Sequence, residues 1–152
     1  MELIEQSLSA EQRAVRERAE SFATEVVAER AEAIEETGEF PRDVIEEAGD
    51  RGLLGILVPE EYGGLGADFV AYCLAIERIA AESGAVAETI QGHTFATLPV
   101  VNFGTDAQRD RLLPEMVAGE RVGSMLLTEP GAGSSPSELE TVATATDDGY
   151  RI

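Results

Sequence analysis

The sequence predicts a mainly α-helical fold that ends in the first strands of a β-domain. Through the first 120 residues, apolar side chains recur at helical spacing, and capping residues precede several of these stretches. From Arg121 onward, short β-compatible runs are separated by loops rich in glycine, serine and proline. We therefore predict a helical domain over residues 1–120 and an incomplete β-domain over residues 121–152. At least four helices are expected before residue 120, with no strand longer than three residues there.

The first helix is predicted from a capping signal and an apolar stripe. Ser9 followed by Gln12 is a capping-box pattern, which supplies partners for the free N–H groups of a helix start. Apolar residues then recur at helical spacing, namely Val15, Ala19, Phe22 and Val26. These signals predict a helix from Ala10 to about Glu35, with Gly38 at or just beyond its end.

Three further helices are predicted in the middle of the chain. Residues 42–50 form a short one, and the glycines of 60–66 indicate a loop before Asp68 caps the next. The apolar face predicted for that helix comprises Phe69, Tyr72, Cys73, Ile76, Ile79 and Ala80. Cys73 is therefore expected to be a buried, inert thiol. The stretch 85–103 carries a single formal charge and predicts a buried central helix.

His93, the only histidine, lies in that apolar helix. A single histidine without a neighbouring cysteine cannot form a zinc site, so we expect a hydrogen-bonded core residue and no metal. Thr105 and Gln108 form a second capping-box pattern and predict a helix to about Ala118. Strands are then predicted over 122–128, 140–146 and from residue 150, around a loop at 129–136.

The charge balance is strongly acidic. There are 30 acidic residues against 11 basic ones, all arginine, for a formal net charge of −19. This charge argues against nucleic acid or an anionic membrane as a partner. It fits either an acidic module that binds a basic protein or a halophilic protein, and the spread of acidic residues along the chain favours the second. The start of the chain is not typical of a signal peptide, so the cytoplasm is expected.

Four ordered motifs resemble the acyl-CoA dehydrogenase family over nearly the whole chain. The segment Leu126–Ser134 is similar to the family's flavin-binding signature. Pro59–Gly66, Phe103–Arg109 and Leu112–Glu120 resemble family segments at similar spacing. A Gly-x-Gly turn alone would be weak evidence, and Pro136 excludes a dinucleotide-binding fingerprint. The resemblance implies a helical bundle of the family's type and an FAD cofactor.

The resemblance also implies site residues. Met125, Leu127 and Thr128 would lie against the isoalloxazine ring, with the Thr128 hydroxyl bonded to its pyrimidine edge. Gly133 and Ser134 would line the junction of flavin and acyl-CoA, and Ser134 would contact the pantetheine of the substrate. Glycine in this loop agrees with that role, because it lets backbone approach a bulky ligand.

The chain departs from the family's pattern at three positions and lacks the family's catalytic region. Ser135 stands where the family usually has aspartate, Glu138 where a small residue is usual, and Met125 where an aromatic or another residue is common. In the family, a glutamate of the C-terminal domain removes the α-proton of the substrate, so no catalytic residue is assigned in this chain. Glu129 is expected to hold the loop.

The resemblance predicts that the chain is the N-terminal part of an enzyme that oxidises an acyl-CoA thioester to the trans-2-enoyl-CoA. Electrons would pass to an electron-transfer flavoprotein, and the complete enzyme would be a homotetramer or homodimer. Two alternatives remain open. One is a non-catalytic acidic helical module, and the other is a fragment of a related flavoenzyme, either an acyl-CoA oxidase or a flavin monooxygenase-like protein.

Overall fold

The computed structural model describes residues 7–152, and its helices all precede residue 120 except for one short 3₁₀ turn. The α-helices are α1 Ala10–Phe22, α2 Ala28–Thr37, α3 Arg42–Asp50, α4 Phe69–Glu82, α5 Gly84–Phe103 and α6 Asp106–Val117. The strands are β1 Thr144–Thr146 and β2 Gly149–Arg151. In the described part before residue 120 there is no strand, so the predicted helical architecture is confirmed.

The first helical stretch begins and ends where the sequence predicts. The Ser9 hydroxyl accepts from the Gln12 N–H at 3.1 Å, and the Gln12 side chain accepts from the Ser9 N–H at 2.9 Å. Gly38 ends the stretch in the left-handed conformation with φ of 63°. One π-helical turn, Ala23–Val27, joins α1 to α2 and was not predicted. Such a turn inserts one residue into the helical repeat, so it changes which residues face the core.

The core lies where α1, α4 and α5 pack on one another. α4 packs mainly on α1, and α5 packs on α4. The largest side chains wholly removed from solvent include Phe22, Ile45, Ile56, Ile79 and Ile90. Burial of apolar side chains of this size is the main favourable contribution to folding. The helical core therefore forms from residues spread over the first ninety positions.

The buried face of α4 differs from the predicted one. Its buried residues are Ala71, Tyr72, Ala75 and Ile79, whereas Phe69 is 63% exposed and Cys73 is exposed. The prediction of a buried Cys73 was therefore wrong. Ala80 of the predicted face is exposed as well, whereas Ala71 and Ala75, which were not assigned to that face, are buried and allow two helices to approach closely.

The glycine-rich loop at 60–66 folds back on the apolar segment before it. Leu65 N–H donates to the Gly55 carbonyl at 2.9 Å, and Gly66 N–H donates to the Val58 carbonyl at 2.8 Å. Gly64 permits this approach, because a Cβ there would lie 2.0 Å from the Val58 carbonyl oxygen. The loop predicted from the glycines is confirmed, and it covers buried residues that belong to no helix or strand.

The predicted strand over 122–128 does not form. In the described part of the chain, β1 and β2 make a single two-stranded antiparallel sheet, with Thr146 opposite Gly149. No strand of residues 7–152 lies alongside 122–128, so the backbone groups of this segment have no ladder to join. The predicted strand over 140–146 is also shorter than expected, because only Thr144–Thr146 is paired.

Candidate functional site

His93 of α5 connects the helical core to the segment that leads into the glycine loop. Its side chain is wholly buried, and Nδ1 accepts a hydrogen bond from the Gly123 N–H at 3.1 Å. On the other side of the ring, Nε2 lies 3.3 Å from the Thr97 hydroxyl oxygen. The hydrogen-bonded core histidine predicted from the sequence is confirmed, and its partner lies 30 residues further along the chain.

The hydrogen bonds of His93 define its protonation state. Because Nδ1 accepts from an amide, the ring is neutral and its proton resides on Nε2. The Met116 carbonyl accepts from the ring, and the Thr97 hydroxyl donates to the His93 carbonyl at 2.8 Å, which leaves its oxygen free to accept. Burial lowers the pKa of His93 below its ordinary value of 6.5, and the bond to Met116 opposes this only in part.

The lowered pKa of His93 predicts a pH-dependent stability. The neutral ring is favoured in the folded state, so its contribution is fully present above about pH 6.5 and is lost as pH falls below that value. We expect the free energy of unfolding of the wild-type chain to fall relative to that of His93→Asn from about pH 7.5 to about pH 5.5. Urea denaturation of both chains measures this. Carboxylates titrate in both and cancel in the difference, so parallel pH profiles would refute the prediction.

Gly123 lies between α5 and α6 at a point where only glycine fits. A Cβ at Gly123 would lie 2.6 Å from the Ala96 Cβ and 3.0 Å from the Met116 Cε. Real Cβ atoms essentially never lie closer than 3.0 Å to another heavy atom, so a Cβ 2.6 Å from the Ala96 Cβ would force the surrounding atoms to move. The backbone at 123 is therefore held against both helices as well as by the bond to His93.

A groove of about 390 Å³ opens beside this point. It runs between the first half of α5 and the segment after α6, and its lining residues are Phe40, Glu88, Thr89, Gly92, Phe95, Val122, Gly123, Ser124 and Met125. Its size lies in the range of ligand-binding clefts. Met125 is one of the lining residues, so the groove borders the segment whose residues the sequence assigns to the flavin.

The predicted flavin-contacting residues lie outside the core. Met125 and Leu127 are each 44% exposed, and Leu126 between them is fully exposed. Thr128 is exposed as well. Three successive large apolar side chains open to solvent are unusual in a packed domain, and such a patch marks a surface that binds something else.

Gly133 and Ser134 are exposed on the loop that follows. A Cβ added at Gly131 or at Gly133 would meet no atom within 4 Å, and neither glycine has a positive φ. Neither packing nor backbone conformation within the described chain therefore requires glycine at these two positions. Met125, Leu127, Thr128, Gly133 and Ser134 are all exposed and lie within ten residues of one another along the chain, on either side of the turn at Glu129–Ala132.

Glu129 holds the loop together, as the sequence suggested. Its backbone exchanges two hydrogen bonds with Ala132, at 3.0 and 3.1 Å. Its carboxylate accepts from the N–H groups of Glu140 and Thr141 at 2.8 and 3.0 Å. The Thr141 hydroxyl and these two amides keep the pKa of the Glu129 carboxyl below its ordinary range. A carboxylate bound in this way is a poor proton acceptor, and its role is to fix the turn.

Residues 7–152 contain neither a candidate membrane-spanning helix nor a candidate metal cluster. No helix in this range is long and apolar enough to cross a membrane. The same range contains no group of three or more histidine, cysteine, aspartate or glutamate side chains that could hold a metal ion.

Comparison with known proteins identifies the class to which this fold and segment belong. The family model of the acyl-CoA dehydrogenase N-terminal domain matches residues 9–120. An acyl-CoA dehydrogenase of Bacillus subtilis (strain 168) is 42% identical over 134 residues, which are 88% of this chain and 35% of that protein. The structure of butyryl-CoA dehydrogenase from Megasphaera elsdenii matches with a TM-score of 0.85 and 32% identity, over 95% of this chain and 39% of that one. An acyl-CoA dehydrogenase complexed with FAD from Bacillus anthracis gives a TM-score of 0.86 and 35% identity, over 95% and 26%.

The chain belongs to the acyl-CoA dehydrogenase family, whose members are oxidoreductases. It spans 35% and 38% of the length of two curated relatives that it matches. The matched family model covers the helical part, and the solved structures extend the likeness to 95% of the chain. The family named from four motifs is thus confirmed by sequence and by structure.

Proposed function

We propose that this chain is the N-terminal part of an FAD-dependent acyl-CoA dehydrogenase that oxidises an acyl-CoA thioester to the trans-2-enoyl-CoA. Family membership supports the reaction class, and the 35% coverage of a curated relative fits a part of a longer enzyme. The observation that carries the assignment to a site is that Met125 lines a groove of about 390 Å³ and begins a run of exposed residues, 125–128.

The residues present fit a flavin. The apolar side chains of Met125 and Leu127 are exposed beside the hydroxyl of Thr128, which suits a flat ring with a polar edge. The open space at Gly133 leaves room for a ligand to approach the backbone. Under this proposal, Gly133 and Ser134 lie where flavin and acyl-CoA meet, and Ser134 contacts the pantetheine. FAD, when bound, supplies the acceptor for the hydride that leaves the β-carbon of the substrate.

The part of the reaction assigned to this chain is binding and orientation. The groove beside α5 is proposed to receive the acyl chain, since Met125 is one of its lining residues. Holding the reacting carbon near the hydride acceptor raises the rate by positioning. We assign the α-proton to a base supplied by another region of the enzyme, because Glu129 is engaged by two backbone amides and its pKa is lowered.

The wider assignments follow from the family resemblance. The complete enzyme would take acyl-CoA as substrate, pass electrons to an electron-transfer flavoprotein, act in fatty acid β-oxidation, and assemble as a homodimer or homotetramer. The proposed compartment, the cytoplasm, comes from the sequence and not from the resemblance. A related flavoenzyme remains the second candidate. An assay of the electron acceptor used by the full-length enzyme distinguishes a dehydrogenase from an oxidase. A dehydrogenase delivers electrons to the flavoprotein or a dye, whereas an oxidase reduces dioxygen to hydrogen peroxide.

The 152-residue chain alone should not turn over acyl-CoA, even with added FAD. The proposed base and part of the flavin site lie in other regions of the enzyme, and removal of a catalytic base alone costs orders of magnitude in rate. Dye reduction with a series of acyl-CoA substrates measures this, with free FAD as the blank and the full-length enzyme as the positive control. Reduction above the blank by this chain would contradict the assignment and would direct attention to Glu88, a carboxylate that lines the groove.

We also propose that the chain is adapted to high salt, because its net charge is −19 and its acidic residues are distributed along it. At about 1 M salt the Debye length is about 3 Å, so like-charge repulsion over the surface is screened. Thermal melts should therefore show a melting temperature that rises from about 0.1 M to about 1 M KCl. A melting temperature that stays flat or falls would argue against halophily and in favour of an acidic module that binds a basic protein.

A further inference from the structure

We propose that His93 is a positioning residue for the flavin site, acting through its hydrogen bond to Gly123. The ring is wholly buried, and its two nitrogens contact Gly123 of the segment after α6 and Thr97 of α5. The inference rests on the proposed function, because the flavin contacts of the segment are themselves part of that proposal.

The position of Gly123 determines where the proposed flavin contacts begin. Met125 is two residues further along, so it lies within about 7 Å of the fixed point. Between Gly123 and Thr128 the chain has no helix or strand to define its path. The backbone at 123 is the last point of this segment that both packs against helices and is bonded to one of them.

An acceptor at His93 Nδ1 is what the Gly123 amide requires. That amide is partly buried, and loss of its partner leaves a donor without a hydrogen bond in a packed region. The far side of the ring is fixed as well, because Nε2 lies 3.3 Å from the Thr97 hydroxyl oxygen. The imidazole is therefore held in one orientation, and it transmits that orientation to the backbone of the segment.

The same contact shapes the groove. Gly123 and Met125 form one wall, while Gly92 and Phe95 of α5 form the opposite one. Since His93 is the neighbour of Gly92 on α5, it fixes the distance between the two walls. A shift of the segment would change flavin binding and would alter the width of the space proposed for the acyl chain.

The test compares three variants of the full-length enzyme. His93→Asn keeps an amide oxygen close to the position of Nδ1, so it can still accept from Gly123. His93→Leu removes the acceptor at similar volume, and His93→Gln places its amide nearer the position of Nε2, which serves if the leucine variant does not fold. Two quantities are measured in each: hydrogen–deuterium exchange of residues 122–128 in the apoenzyme, and the Kd for FAD from fluorescence quenching.

We expect His93→Leu and His93→Gln to speed exchange at 122–128 and to weaken FAD binding by roughly tenfold. In the His93→Asn enzyme, both the exchange rate and the Kd for FAD should stay near the wild-type values. Exchange and FAD affinity in His93→Asn that are changed as much as in His93→Leu would overturn the proposal. Faster exchange in His93→Leu with unchanged FAD affinity would overturn it too, while the proposed function would stand. Absence of FAD binding in the wild-type enzyme would instead refute the proposed function, whatever the exchange data show.

Discussion

Changing Gly133 to valine in the full-length enzyme should abolish flavin retention while the fold stays intact. In the described chain, a Cβ at Gly133 meets no atom within 4 Å, and φ is not positive there. Valine is therefore compatible with the loop as it stands, and a surface change of this kind costs at most about 0.5 kcal/mol of stability. If the backbone lies against the cofactor, however, the branched side chain occupies the ligand's space.

Thr128→Ala is the matched comparison on the same segment. It removes one hydroxyl, and loss of one hydrogen bond costs about 0.5–1.5 kcal/mol, which corresponds to roughly two- to tenfold weaker binding. Flavin retained after gel filtration, read from its visible absorbance, should therefore be absent in Gly133→Val and only reduced in Thr128→Ala. Circular dichroism checks the fold of both proteins. Wild-type flavin content in a folded Gly133→Val enzyme would mean that the loop does not touch the cofactor.

The expected loss of flavin in Gly133→Val comes from a clash with the ligand and not from backbone strain. A positive φ would have added a backbone penalty for valine, but the left-handed glycines of the described chain lie elsewhere, at positions such as Gly38, Gly52, Gly63 and Gly66. Any loss of flavin therefore reports a contact with the ligand. For the same reason, the 152-residue chain carrying Gly133→Val should unfold at nearly the same urea concentration as the wild type.

The helix starts were predictable from sequence because their causes are local. The side chains of Ser9, Asp68, Ser83 and Thr105 each accept from an amide three residues later. A capping residue and its partner lie within one turn, so the printed sequence contains the whole interaction. The same holds for Gly38, whose left-handed backbone ends α2.

The errors arise where distant parts of the chain meet. The exposure of Cys73 depends on which side of α4 contacts α1, and this is set by residues more than fifty positions away. The bond between His93 and Gly123 spans 30 residues. The single histidine in an apolar helix predicted a hydrogen bond, but it did not identify the partner. The segment 122–128 was assigned as a strand from its composition, but a strand also requires a partner.

The candidate site was predictable only in part. Met125, Leu127, Thr128, Gly133 and Ser134 were named from a resemblance, and the structure shows that they share an exposed segment. Their roles toward FAD and acyl-CoA stay predictions. The groove along α5 was not predicted, because its lining residues come from three separate regions that only the fold brings together.

Gly64→Ala should cause a large loss of stability, about 3 kcal/mol, at the upper part of the usual range for overpacking. A Cβ at this position would lie 2.0 Å from the Val58 carbonyl oxygen and 2.5 Å from its carbonyl carbon. Both are backbone atoms, so no side-chain rotation can relieve the clash. The loop would have to move away, and this would strain the bonds of Leu65 and Gly66 to the apolar segment.

Gly92→Ala is the control, because it adds the same methyl group at a position where the structure has room for it. Gly92 lies inside α5, and a Cβ there would meet no atom within 4 Å. Alanine favours the helix over glycine by about 1 kcal/mol, so this variant should be more stable than the wild type. Urea denaturation followed by circular dichroism compares the three chains. Equal midpoints for Gly64→Ala and the wild type would show that the loop does not pack on Val58 as described, because an added methyl group cannot fit 2.0 Å from a carbonyl oxygen.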